Sequence, residues 1–182
     1  MKLTGLLGKI EITMFARINL KNAYIKLQDG ATAANSLTIK IGDGNLTYSE
    51  KKTMEYELDR GVLDDVREGD DVPIDVSFDV VWEYITGSGG TGAAGTAEDF
   101  LKQVGAYSGN TSSDPDACRP YAVDVIIEYQ PEPFSCGDKE TITLADFRYE
   151  SLDHDLSNAS ISCTGRCNIT KATTVRAAQS ST

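Results

Sequence analysis

Apolar and polar residues alternate with period two through most of this chain, which predicts half-buried antiparallel strands. Ala23, Ile25 and Leu27 alternate with Tyr24, Lys26 and Gln28. Leu37, Ile39 and Ile41 alternate with Thr38 and Lys40 as far as the turn sequence Gly42-Asp43-Gly44-Asn45. Met54, Tyr56 and Leu58 oppose Glu55, Glu57 and Asp59, ending at Arg60-Gly61. The longest run follows Pro73: Ile74, Val76, Phe78, Val80, Trp82 and Tyr84 form one face, and Asp75, Ser77, Asp79, Val81 and Glu83 the other. Val123, Val125, Ile127 and Tyr129 alternate with Asp124, Ile126 and Glu128. Ile142 and Leu144 change phase to Phe147 and Tyr149 across Ala145-Asp146, which predicts a bulge or tight bend. Ala159, Ile161, Cys163, Gly165, Cys167 and Ile169 then oppose Ser160, Ser162, Thr164, Arg166, Asn168 and Thr170.

One helix is predicted. Residues 86–95 are rich in Gly, Ser, Thr and Ala, and Thr96-Ala97-Glu98-Asp99 opens a short helix through Phe100, Leu101 and Val104. Residues 108–117 read as a polar loop. About eight strands and one helix predict a mainly β domain, an antiparallel sandwich or partly closed barrel. The domain is expected over 37–170. Residues 1–36 are expected to be a strand or arm region, and 171–182 a mobile tail of little apolar content.

Charge narrows what such a domain can do. Over 182 residues, 28 Asp and Glu against 17 Lys and Arg leave a net charge of −11. Gripping nucleic acid through phosphates needs a basic footprint, so that class is excluded. A single histidine removes most metal-dependent and triad chemistry. No run approaches the roughly 18 apolar residues of a membrane span. The short apolar start, Met1 to Gly8, is too brief for a signal-peptide core, so the chain is expected in a cytoplasm and its four Asn-x-Ser/Thr sequences to be chance matches.

Several local sequences invite chemistry and fall short of it. Gly90-Thr91-Gly92-Ala93-Ala94-Gly95 fits G-x-G-x-x-G between a strand and a helix. The strand before it carries acids where a central parallel strand would be apolar, and no further βαβ unit follows. Cys118, Cys136, Cys163 and Cys167 could suggest zinc. Cys163 and Cys167 lie four apart on a strand, about 13 Å between α-carbons, too far to share an ion or a disulfide. Reduced, metal-free thiols are expected. The pair Asp153-His154 lacks a defined nucleophile and reads as a polar turn. The acidic stretch Asp64 to Asp71 reads as a loop without the alternating ligand order of a calcium site. No catalytic residue, cofactor or metal is therefore assigned.

The acids are more informative as a set. Glu55, Glu57, Asp75, Asp79, Glu83, Asp124 and Glu128 occupy the polar faces of three predicted strands. If those strands share a sheet they form one acidic wall, which repels an anion. Met54, Tyr56, Val76, Phe78, Val80, Trp82, Val125 and Ile127 are then expected to fill the core behind it.

The text of the chain adds a resemblance. GDGNLTYSEKKTMEYELDRG at 42–61, VREGDDVPIDVSFDVVWEYI, CRPYAVDVIIEY and ETITLADFRYESLDHDL resemble the tail tube (major tail) proteins of long-tailed bacteriophages, over roughly residues 37–170. The resemblance implies a structural virion protein rather than an enzyme: a β-sandwich with a flanking helix, six copies to a ring, and rings stacked into the tube through which DNA leaves. It implies self-association, contact with other tail proteins, and passage of DNA without specific binding. Inner sheets would join around the lumen, and loops and terminal arms would bridge successive rings. An acidic bore suits DNA, which carries one negative charge per about 1.7 Å. The alternation of Ile10 and Ile12 with Glu11 and Thr13 makes an arm from Met1–Ile41 that adds a strand to a neighbour a further expectation. Two alternatives remain: a single-ring tail adaptor or terminator with the same sandwich, and a small β-fold enzyme or nucleotide-binding protein.

Overall fold

The computed structural model describes residues 23–42, 45–86, 94–129 and 139–177. In chain order they form β1 (Ala23–Gln28), β2 (Ser36–Ile39), β3 (Leu46–Ser49), β4 (Met54–Asp59), β5 (Val62–Glu68), β6 (Ile74–Val81), β7 (Ile85–Thr86) and β8 (Ala94–Gly95). Helix α1 (Ala97–Lys102) follows, then β9 (Val123–Tyr129), β10 (Lys139–Asp155), β11 (Ser160–Cys167) and β12 (Thr173–Ala177). One antiparallel sheet runs β2-β1-β9-β10-β11-β6-β3, with β12 also paired to β10. It does not close into a barrel. Its ends nevertheless approach: at the end of β6, past its pairing with β3, the Val81 N–H donates to the Lys40 carbonyl at 2.8 Å, just past β2.

Alternation accounts for the core. Ile25 and Leu27, Leu37 and Ile39, Ile74, Val76, Phe78 and Val80, Val123, Val125 and Ile127, and Ile161, Cys163 and Cys167 are all buried in one cluster. Each strand gives that cluster every second residue and turns its polar residues outward. Phe78 and Phe147 meet across it with ring centroids 5.6 Å apart. Helix α1 adds Ala97, Phe100 and Leu101. Its start is the expected one, a reciprocal cap in which the Asp99 N–H donates to Thr96 Oγ1 and the Thr96 N–H to Asp99 Oδ2.

The expected irregularity in β10 is present. The register against β9 shifts between Leu144 and Phe147, where Asp146 adopts φ 55°. A second shift lies against β11 between Tyr149 and Ser151, where the apolar pattern carries no sign of it. Gly165 lies at this second bulge, where an added Cβ would sit 2.1 Å from the Arg148 carbonyl oxygen. Only a residue without a side chain fits there.

Several expectations need correction. The sheet includes β1, flanked by β2 and β9, so the domain begins by Ala23 rather than at 37. Ser151–Asp155 is not a turn but the end of β10, paired with β11; the turn follows at 156–159. Polar residues can extend a strand wherever a neighbour supplies the hydrogen-bond ladder. The same holds for β12, which carries the chain into the sheet as far as Ala177 where a tail was expected. Asp64–Glu68 belongs to β5 and is not a loop. Trp82 lies at the surface, its ring 5.3 Å from that of His154, instead of in the core. Met54 and Tyr56 are exposed. The Met1–Asn22 part of the arm, most of the Gly-rich motif and Cys136 lie outside the described residues.

Candidate functional site

β4 and β5 leave the sheet as a two-stranded ribbon. Among the described residues they pair only with each other, and every residue of both strands is exposed. The ribbon turns at Arg60-Gly61, with φ of 52° and 83°; a two-residue turn with both central residues at positive φ matches the twist of a hairpin. Directly opposed residues share a face. Tyr56 opposes Val66 and Leu58 opposes Leu63, with Met54 on the same side opposite Glu68, so one face is apolar apart from its end at the ribbon's foot. The other carries Glu55, Glu57 and Asp59, with Asp65 and Arg67 opposite the glutamates. Tyr56 is 62% exposed, Leu58 66% and Leu63 55%. A face of this kind against water marks a surface that something else covers. The alternation at 54–59 therefore predicted two unlike faces correctly, while the partner of the apolar one is not the subunit's own core.

At the ribbon's foot, the Gly69 N–H donates to the Thr53 carbonyl at 2.8 Å. Beside it lies an open groove of about 410 Å³ whose lining mixes Lys51, Lys52 and Lys171 with Glu68, Asp70 and Asp71. The Ala172 N–H donates to Glu50 Oε1 there, tying the start of β12 to the segment before β4.

The seven carboxylates do not form one face. Asp75 and Asp79 point outward from β6, and Asp124 and Glu128 outward from β9, on the same sheet with β10 and β11 between them. Glu83 follows β6, and Glu55 and Glu57 are on the ribbon. Most of them face a cation. Glu128 pairs with Lys26 at 2.7 Å and Glu83 with Lys40 at 2.9 Å. Asp75 is held by Lys51 and Arg166, and Glu55 and Glu57 by Arg67. Among the described residues only Asp79 and Asp124 of the set have no cationic partner. In the isolated subunit the outward face is thus a set of ion pairs with residual negative charge. Alternation places a carboxylate on the outer face but carries no sign of the lysine or arginine that a neighbouring strand brings beside it.

Asp124 has a backbone partner instead. Its Oδ1 accepts the Asp146 N–H at 3.0 Å, across the first β10 bulge. Burial pushes its carboxyl above the ordinary value and the Asp146 charge adds to this, against hydrogen bonds that favour the ionised form. A raised folded-state value means that ionisation costs stability; the cost is fully present above that value and absent below the unfolded one. Asp124→Asn keeps an acceptor for the Asp146 N–H. It is expected to raise Tm at pH 7 by about 2 °C, with the gain vanishing below about pH 4. Thermal melts of both proteins across pH check this, and a gain that persists at pH 3 would refute the assignment.

Asp114 behaves oppositely. Buried in the polar loop, it accepts from the Asp116 N–H, from Arg148 at 2.6 Å and from Arg119 at 3.2 Å, and these hold its carboxyl down to about 2. Its contribution is present above the unfolded value and is lost as pH falls towards 2.

The remaining candidates show structural contacts. His154 Nε2 lies 3.0 Å from Glu98 Oε2, linking the end of β10 to α1. Cys163 and Cys167 are free thiols facing the core, both pushed up to about 12 by burial, and Cys118 is a free exposed thiol. Among the described residues no group of three or more His, Cys, Asp and Glu side chains could hold a metal ion, and no helix is long and apolar enough to cross a membrane. Neither a scan against protein-family models nor a search of curated proteins matches this chain.

Proposed function

We propose that this chain is the subunit of a phage tail tube, a structural virion protein whose rings of six stack into a conduit for DNA. The observation that carries the reading is the β4–β5 ribbon: a hairpin standing off the sheet with an exposed apolar face suits a contact between stacked copies. The sheet's edges support it further. Among the described residues β2, β3 and β12 each pair on one side only, and free edges of this kind are aggregation hazards unless a neighbouring strand covers them. A closed ring covers edges by pairing, and its symmetry repeats each contact. Assembly takes place in the host cytoplasm and the product is part of the virion tail.

In this reading the outward face of β6 and β9 lines the bore. Residual charge there comes chiefly from Asp79 and Asp124, and the paired carboxylates add polar groups that keep the wall wet. Asp75 is a poor site for charge reversal, because Lys51 and Arg166 already flank it. Asp79→Lys is expected to leave stability nearly unchanged and to slow DNA release from virions built with it. The delay should ease as salt rises and screening shortens the reach of each charge. Release kinetics at two salt concentrations test this, and parental rates in both would remove the bore assignment.

Electron micrographs of purified protein at high concentration test the function itself. Six-fold rings and tubes are expected. Monomers alone, with tail initiators present, would overturn the reading, and rings that never stack would favour the single-ring adaptor.

A further inference from the structure

The five most exposed large apolar side chains among the described residues lie in two places. Val62, Leu58 and Tyr56 are on the ribbon. Tyr84 and Leu156, 78% and 77% exposed, lie past the end of β6. The ribbon's foot is at the opposite end of that strand: Ser49 at the end of β3 pairs with Asp75, and residues 69–73 lead from β5 into Ile74. Eight residues of β6 set the two ends about 24 Å apart. Trp82 joins the far group. Its N–H donates to the Ala159 carbonyl at 2.7 Å, which sets it beside the 156–159 turn, and its ring meets that of His154 edge-on. The glutamates nearest to it are paired, Glu83 with Lys40 and Glu98 with Lys102 and His154.

We propose that the ribbon's apolar face docks on the Trp82, Tyr84 and Leu156 patch of a second copy of this chain. A two-stranded ribbon is marginal in water until a packed layer covers it, and Trp and Tyr are the side chains on which contacts between proteins most often depend. Every residue of the ribbon is exposed in the single chain, so its own patch does not cover it. Ribbon packed on ribbon would bring together two elements that each carry six carboxylates against two arginines over residues 54–68. It would also leave the patch in water. Unlike surfaces at opposite ends of one chain join copies head to tail, and such contacts continue into an open stack. The docking deepens the tube reading by naming what receives the ribbon, and it rests on that reading for the occupant being another copy.

Trp82 is the chain's one tryptophan, so its fluorescence reports on the patch directly. As concentration rises and copies associate, the emission of the full chain should move to shorter wavelength, and Tyr56→Asp with Leu58→Asp should abolish the shift. Emission that stays constant while sedimentation shows association would overturn the proposal, as would a shift that the ribbon variant keeps. Cross-linking identifies the contact. Leu58→Cys or Leu63→Cys is made in one chain and Leu156→Cys in another; the two are mixed and oxidised, and the linked peptides are read by mass spectrometry. A disulfide between the two introduced cysteines is expected, and in such a mixture it forms only between copies. Ribbon-to-ribbon links alone, or no link from either ribbon position, would overturn the docking. Micrographs of the same samples keep the two ideas apart: tubes without the ribbon-to-patch link sink the docking and leave the tube standing. The link in samples that form no tubes does the reverse.

Discussion

A chain carrying Tyr56→Asp and Leu58→Asp is expected to fold as the parent does and to build no tubes. Both residues are on the ribbon's apolar face, 62% and 66% exposed, so the subunit's core does not depend on them. Substitutions at such sites usually change stability by no more than about 0.5 kcal/mol. Assembly is another matter. If the apolar face is buried between copies, two carboxylates there must be desolvated without a partner, which costs several kcal/mol per charge. In the proposed ring, six-fold repetition would multiply the penalty at every contact. The chain's acidic character makes rescue by a neighbouring cation scarce. Circular dichroism and thermal melts report the fold, and electron microscopy reports the tubes. Tubes of parental length from this variant would show that the face is not an assembly surface.

Gly165→Ala should have a large effect on the subunit itself. The new Cβ would lie 2.1 Å from the Arg148 carbonyl oxygen, and 2.8 Å from both the Phe147 ring and the Tyr149 α-carbon. Two of those three atoms are backbone, and the Phe147 ring is packed against Phe78, so no flexible side chain can swing aside. The β10 segment is also anchored from outside, because Arg148 bonds both Asp114 and the Pro120 carbonyl. A loss of about 3 kcal/mol or more is expected, which lowers Tm by roughly 6–12 °C for a domain of this size. Gly109→Ala is the control, since nothing lies within 4 Å of a Cβ built there. Equal melting of the two variants would mean that β10 and β11 are not so close at Gly165.

Burial at one half of each strand is a local property, and that is why the main sheet was legible in the amino-acid sequence. β6 alternates buried and half-buried residues from Ile74 to Val81, and β9 and β11 do the same, as their side-chain pattern requires. The Leu144-to-Phe147 phase change showed a bulge because an extra residue must reverse the inward set. The Thr96–Asp99 cap was visible because both of its halves lie within four residues. None of this needed knowledge of a neighbour.

What only the tertiary structure decided depended on residues far apart in the chain. Alternation at Met54–Asp59 determined that the strand has two unlike faces, but not that the apolar one would meet no core; that follows from β4 pairing, among the described residues, with β5 alone. Glu128 and Lys26 are 102 residues apart and Asp75 and Arg166 are 91, so their pairing is a consequence of strand order. The polar stretches at 151–155 and 173–177 became strand because β11 and β10 offer them backbone partners. Backbone hydrogen bonding is indifferent to side-chain polarity, so such strands leave no mark in the hydrophobic pattern.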